Sequence, residues 1–427
     1  MSPDAATVPG EGVEPSRAEA HGFLRPARLP IPPSRPSWSR VAARSKAASL
    51  RARAGLAALL TLTISACIER VPPSSGATVP TIAFLFDGSS ADAELVTAPA
   101  LAGLELAAGE AGGVEVEPVN VGLERGEVMT SLRALGDDHG IVAAVVAPWT
   151  VPPPGAVELL AEGGVPVVTL SWAWGPPSGR DGLWLSLVAP RAREAVILLT
   201  GAEAVSERSP VCLAGDEHPT SRALLETAEE LGRAAGDPAI VMAGIAPAAR
   251  PAAAKVVAAR IADAGCPTLV WTGGTIGVRS VLSSSADPPV VVGASRIKTD
   301  DGLGLVASGI HVIAVCACAD VSLSMEPDEQ RFVHDLQAQS GAPPGPFAVE
   351  AYDAGRLLTG LVVNTGGDER RGQVAEALDD LTVLRGLSGA YAFEPDGSRS
   401  PVSIAVGRWR AAGTRWLPVG RLGASPG

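Results

Sequence analysis

Between residues 81 and 292 the chain alternates short, uninterrupted apolar runs with segments whose apolar residues recur at helical spacing. Runs at 81–86, 141–147 and 165–170, with the Val-Glu-Val-Glu-Pro-Val segment at 114–119, read as strands, and helices over 95–111, 127–135 and 157–162 lie between them. Asp87-Gly88-Ser89-Ser90 supplies a turn after the first run, and Gly112-Gly113 ends the first helix. The pattern then breaks and restarts: helix 191–200, strand 211–214, helix 221–235, strand 240–243, helix 252–264, strand 268–271, helix 276–283, strand 290–292. A strand apolar along its whole length buries both faces, which requires a parallel sheet covered by helices on either side. Two such series of four strands predict two doubly wound α/β lobes rather than one large sheet.

The N-terminus obeys different rules. Residues 1–39 are rich in Pro and Arg and lack apolar periodicity, so they are not read for fold. Arg40, Arg44, Lys46, Arg51 and Arg53 then form a cationic stretch, followed by an uncharged segment over 54–66. That segment is too short to span a bilayer, which needs about 20 residues in a helix, but it matches the core of an export signal. It closes on Ile64-Ser65-Ala66-Cys67, which resembles the lipobox of bacterial lipoproteins. The small residues let a peptidase seat the extended chain, and the Cys67 thiol takes the lipid. Pro72-Pro73-Ser74-Ser75-Gly76 reads as a tether.

Charge excludes one class of partner. Residues 1–66 carry nine Lys/Arg against four Asp/Glu, leaving 25 against 42 in the remainder. So acidic a body lacks the clustered cations that nucleic acid requires. Catalysis also finds little support. The five histidines show no HExxH or metal-ligand spacing, and no nucleophile-elbow GxSxG is present. Gly273-Gly274-Thr275-Ile276-Gly277 lacks the Gly-Lys-Ser/Thr of a phosphate loop. The chain is expected to be no enzyme, with no cofactor and no metal.

Several phrases, in order, resemble the branched-chain amino acid (leucine/isoleucine/valine) binding proteins of ABC importers, which have the type I periplasmic binding fold. They are Leu101-Ala102-Gly103-Leu104 running to Gly112-Gly113-Val114, then Gly164-Val165-Pro166-Val167-Val168-Thr169-Leu170-Ser171, then Tyr352-Asp353-Ala354-Gly355-Arg356-Leu357-Leu358, and Gly386-Leu387-Ser388-Gly389-Ala390-Tyr391 running to Pro395-Asp396-Gly397. The resemblance covers residues from about 80 to the end. It implies two Rossmann-like lobes joined by a three-strand hinge, with crossings near 183–189, 313–318 and 386–390. The chain then divides into a leader with lipoprotein signal peptide (1–66), a tether (67–79), lobe one (80–186 plus 319–387) and lobe two (187–318 plus 388–427).

The same resemblance picks site residues at the carboxyl ends of strands, where loops and helix N-termini converge. In lobe one, Trp149 and Thr150 stand where the family has a Gly-Pro-x-Ser type loop, and the Thr150 hydroxyl would bind a ligand carboxylate. Ser171, Trp172 and Ala173 occupy the next loop, with Trp174 beyond. In lobe two, Asp216, Glu217 and His218 replace the family's Tyr-Gly loop. Thr272 and Thr275 flank a Gly-Gly pair whose usual aromatic is missing, and Ser295 lies where an acidic residue sometimes binds an ammonium group. Turn and helix-cap duty is the competing account of Thr150 and Ser171, and core packing that of the tryptophans.

Two functions stand. One is an exported, lipid-anchored solute receptor, on the periplasmic or extracellular face of the envelope, that passes an amino acid or related carboxylate or amide to an ABC permease. The other is a regulatory or envelope-assembly lipoprotein using the fold as a sensor or docking module. Cys212 and Cys266 open and precede strands that are neighbours in a 2-1-3 order, so a disulfide is in reach, separate buried thiols being the alternative. Cys316 and Cys318 on an extended strand would sit about 6.5–7 Å apart, a poor spacing for a bond.

Lipidation of Cys67 makes a direct prediction. The Cys67→Ala chain should partition into the aqueous phase on detergent extraction, and the parent into the detergent phase. Equal partitioning, or a mature N-terminus other than position 67, would refute it.

Overall fold

The structure is a computed structural model that describes residues 79–89, 93–122, 125–177, 183–206, 210–235, 240–247, 250–283, 285, 287–364, 370–387, 389–400, 406–413 and 415–422. The leader, Cys67 and most of the tether lie outside them.

Strand β1 (Thr81–Phe86) shows why the sheet is covered twice. Ile82 and Phe84 point into one core with α1 (Ala93–Ala111), while Ala83 and Leu85 point into another with α2 (Arg125–Asp137) and α3 (Ala156–Glu162). This is the two-residue period of a strand acting on an apolar run. With β2 (Glu115–Asn120), β3 (Ile141–Val146), β4 (Val167–Thr169) and β5 (Trp184–Ser186), it forms a parallel sheet in the order β2-β1-β3-β4-β5. Strand β2 lies at the edge, half-exposed and carrying Pro118, as suits a strand that must not recruit another.

The second lobe repeats the plan. Its elements are α4 (Arg191–Glu203), β6 (Val211–Gly215), α5 (Pro219–Ala234), β7 (Ile240–Ile245), α6 (Pro251–Ala264), β8 (Thr268–Trp271), α7 (Thr275–Leu282), β9 (Val290–Gly293), α8 (Asp300–Ala307) and β10 (Val312–Cys316). The parallel order β7-β6-β8-β9-β10 matches that of the first sheet, so both lobes are doubly wound in the same sense. Each sheet has a fifth parallel strand beyond the four read from the sequence, because the first two crossing segments themselves pair as β5 and β10. Strands β13 (Val406–Ala412) and β14 (Arg415–Leu422) add antiparallel to β10.

The chain returns to the first lobe through α9 (Pro327–Ser340), α10 (Ala348–Asn364) and α11 (Arg370–Asp379). Helix α10 packs so closely on α1 that a β-carbon at Gly103 would collide with the Ala348 carbonyl, and one at Gly355 with Ala107. The Arg371 guanidinium of α11 gathers the carbonyls of Leu135, Gly136, Asp138, Ile141 and Gly163, closing the ends of α2 and α3.

The third crossing lies later than 386–390. Strands β11 (Val383–Gly386) and β12 (Gly389–Ala392) form a hairpin held on the first lobe. The Tyr391 hydroxyl donates to Asp353 Oδ2 at 2.7 Å, and Arg399 donates to the Leu187 carbonyl at 2.7 Å. The chain joins the second sheet only at β13. Cys212 and Cys266 are bonded, with Cα atoms 5.7 Å apart. Cys316 and Cys318, expected to stay apart, are also bonded, because β10 ends at Cys316 and the backbone bends, bringing the Cα atoms to 5.0 Å.

Glu350, in the first turn of α10, ties that helix to the second crossing: its Oε1 accepts the Ala319 N–H at 2.6 Å. Burial pushes its carboxyl up to about 7, outweighing that bond, and Oε2 has no partner among the described residues. The folded value exceeds the unfolded value of 4.5. Its contribution to stability is therefore complete below the unfolded value and lost as pH rises through about 7. Glu350→Gln should lie close to the parent at pH ~4 and become the more stable of the two by pH ~8. Urea midpoints across that range test it; parallel curves would show that Glu350 does not carry the dependence.

Candidate functional site

In sheets of this order ligands bind outside the carboxyl ends of the strands, at the switch points β1/β3 and β6/β8. The loops after β3 and β4 of the first lobe meet those of the second lobe after β9 and at the start of α4. In the first lobe the Thr169 side chain accepts the Ser171 N–H at 2.9 Å and donates to the Ser171 carbonyl at 2.8 Å. That turn aims the Ser171 hydroxyl at the Thr150 carbonyl, 2.7 Å away, locking the two loops together. The Ala173 N–H reaches Ser171 Oγ at 3.4 Å. Thr150 Oγ1 is buried with no hydrogen-bond partner among the described residues.

Trp149 leaves this base in a left-handed conformation, φ 59°. For a residue with a β-carbon that conformation costs about 1–2 kcal/mol. Phe347, just before α10, has φ 62°, and no other non-glycine residue among those described has a positive φ. The two rings touch edge to face at 5.2 Å. Strain of this kind persists only where surrounding structure enforces it, and it clusters at functional sites. Here it turns the indole across the cleft, where Nε1 donates to Ser295 Oγ at 3.1 Å.

The second lobe answers with a carboxylate. Ser295 begins a 3-10 turn after β9, and its hydroxyl donates to Glu194 Oε1 at 3.0 Å. Trp172 Nε1, from the first lobe, donates to Glu194 Oε2 at 3.3 Å. Two indoles of one lobe thus converge on a Glu–Ser pair of the other. Burial pushes the Glu194 carboxyl up, partly offset by the bonds from Ser295 and Trp172. A second approach across the cleft brings His218 Nε2 to 3.9 Å from Asp87 Oδ2, an attraction that needs the imidazole protonated.

The remaining sequence candidates hold the second lobe together. Asp216 Oδ2 accepts the Gly274 N–H at 2.7 Å and Oδ1 the His218 N–H at 3.1 Å, with the Arg296 guanidinium 3.7 Å from Oδ1. Glu217 is exposed on that loop. His218 caps α5, its ring nitrogen accepting the Thr220 N–H. Thr272 donates to the Ser221 carbonyl at 2.9 Å, and Thr275 Oγ1 lies 3.5 Å from Thr299 Oγ1. Trp174 turns away from the cleft into the first-lobe core. Glu194, Phe347 and Asp87 were not among the sequence candidates. Glu194 sits in the first turn of a helix, where acidic residues are common and carry no signal of burial.

The periplasmic binding protein family matches residues 80–414. The chain belongs to that family. It is a binding protein by membership, with the fold's two lobes and loop-lined cleft. No curated protein matches it in sequence. Among solved structures it is similar to the branched-chain amino acid transporter substrate binding protein LivJ of Streptococcus pneumoniae in complex with isoleucine, at 15% identity and TM-score 0.65, over 80% of this chain and 98% of that one. The leucine binding protein LivK of Thermotoga maritima gives 15% identity and TM-score 0.65, over 81% and 99%. The solute binding protein of R. palustris in complex with benzoate gives 16% and 0.62, over 80% and 95%. At such identities the likeness establishes the fold.

The contacts across the cleft predict that Trp149→Phe, which removes the N–H donor and shrinks the ring that packs on Phe347, loosens the closed arrangement. Stability should fall by about 1–3 kcal/mol, the lost bond adding to the buried ring volume removed, and Ser295→Ala should cost a similar amount, about 1–3 kcal/mol, by stranding two buried partners. Thermal melts and the radius of gyration from small-angle scattering read both effects. Unchanged values in both variants would show that these bonds do not hold the lobes.

Proposed function

We propose that this protein is a lipid-anchored, extracytoplasmic solute receptor of an ABC importer, which closes its two lobes on a small molecule carrying a carboxylate or amide group and presents it to the permease. An amino acid or close relative is the favoured class. The observation that carries the reading is Thr150 Oγ1, a buried hydroxyl without a partner among the described residues at the mouth of β3. Its loop is braced by Ser171, so it is held ready for an oxygen of a bound ligand. Isoleucine and benzoate, the ligands of two structural neighbours, share only a carboxylate as their polar acidic group. Trp149 and Trp172 would cover the apolar part of such a solute, and Ser295 and the 216–218 loop would contact it from the second lobe. Anchoring at Cys67 would hold the receptor at the membrane face.

One observation favours a sensor or docking role without transport: the Trp149–Ser295–Glu194–Trp172 bridge closes the cleft with the protein's own groups. The two readings separate on solute binding. A thermal-shift screen of amino acids and small carboxylates should find a ligand, because binding to the native state alone raises stability by mass action. In calorimetry with that ligand, Thr150→Ala should weaken affinity roughly tenfold to a hundredfold, the worth of a hydrogen bond to a charged group. No ligand in the screen, or undiminished affinity in the variant, favours the docking role.

A further inference from the structure

A cavity of about 240 Å³ opens beside the bridged cleft, walled by both lobes. Leu95 and Pro99 of α1 and the proline-rich loop at 342–346 line it from the first lobe; Leu303 of α8 and Trp416 of β14 line it from the second. None of the sequence-derived site residues borders it, and neither do Glu194 or Trp149.

Its chemistry is restricted. The floor holds Lys298 and Asp320, whose Nζ–Oδ2 distance is 2.7 Å. Burial pushes the Asp320 carboxyl up, but the Lys298 ammonium outweighs this and the net shift is downward, so both groups stay charged and neutralise each other. Lys298 also lies 4.2 Å from the Trp409 ring centre. On the rim Asp300 and Arg415 are exposed and of opposite sign. The lining therefore offers no net charge to an ionic solute. Donors are few as well: Pro343, Pro344 and Pro346 have no N–H, and Trp416 Nε1 already donates to the Thr299 carbonyl at 3.3 Å. Apolar surface is what remains, and some of it faces water: Leu95 is 47% and Leu323 56% exposed. The walls are also stiff, since prolines fix their backbone and the Trp416 ring is pinned by its hydrogen bond. A cavity of ~150 Å³ lined by apolar side chains holds benzene, so this one has room for one or two fused rings.

We propose that this groove is a second solute subsite, taking an uncharged aromatic molecule of one or two rings that lies against Trp416 and the proline loop. It needs neither Thr150 nor a ligand carboxylate, so it stands or falls apart from the function proposed above. Because both lobes supply its walls, an occupant favours the closed arrangement.

Indole is the probe. Calorimetry on the full chain should give saturable one-to-one binding. Leu323→Arg and Leu95→Arg each place a long cation at an exposed position on the groove, where the fold tolerates it, and should weaken indole by about tenfold or more. Thr150→Ala should leave indole affinity within about twofold. Absence of saturable binding by the parent overturns the proposal, as does undiminished binding in both arginine variants. Loss of indole binding in Thr150→Ala would put the ring in the carboxylate cleft and overturn it equally.

Discussion

A parallel strand cannot be followed at once by its neighbour; the chain must travel back across a face of the sheet, and a helix is the compact way to do so. That constraint, applied to strands buried on both faces, generates nearly everything in this protein. It puts helices on each side of each sheet and sets the shared order β2-β1-β3-β4-β5 and β7-β6-β8-β9-β10. It also collects the loops that follow the strands at one edge, where polar groups can point outward from a well-packed base. Two such edges face each other here.

The cleft between them is bridged at its centre by buried polar groups. Glu194 is a buried carboxylate with a raised pKa, tolerable because Ser295 and Trp172 donate to it. Trp149 reaches the same pair only by adopting a left-handed backbone against Phe347. A pair of lobes held this way has a closed arrangement with its own supporting contacts. A ligand changes the population of that arrangement only by the difference in its affinity for the two states. The bridge therefore sets the closed population before any solute arrives, and a solute's preference adds to it. Near the crossings, Glu350 on Ala319 and Arg399 on Leu187 restrain the connecting segments.

Much of the fold was legible in the sequence. Apolar runs of strand length and helices of amphipathic period are local properties, and their order alone specified two doubly wound lobes. The loops carrying Trp149, Thr150, Ser171 and Ser295 followed from the strand ends. What escaped was the pairing of polar side chains. Asp216 and Thr272 bear groups suited to a ligand, yet they are turned into the second lobe's own loops. Trp174 shares a loop with Trp172 but enters the core. The fifth strand of each sheet was read from the sequence as a crossing between lobes, and its pairing onto the sheet is decided by tertiary contacts.

The sequence by itself determined the element types, their alternation and the acidic character of the body, because each depends on residue type and near-neighbour spacing. Only the tertiary structure decided that Glu194 is buried, that Trp149 crosses to Ser295, that Cys316 turns back to Cys318 and that the third crossing waits until β13. Trp149 and Ser295 are 146 residues apart, and Ser295 and Glu194 are 101 apart. No local period records which distant loops will meet. The meeting is set by how two finished lobes pack, and the polar side chains then take whichever partners that packing provides.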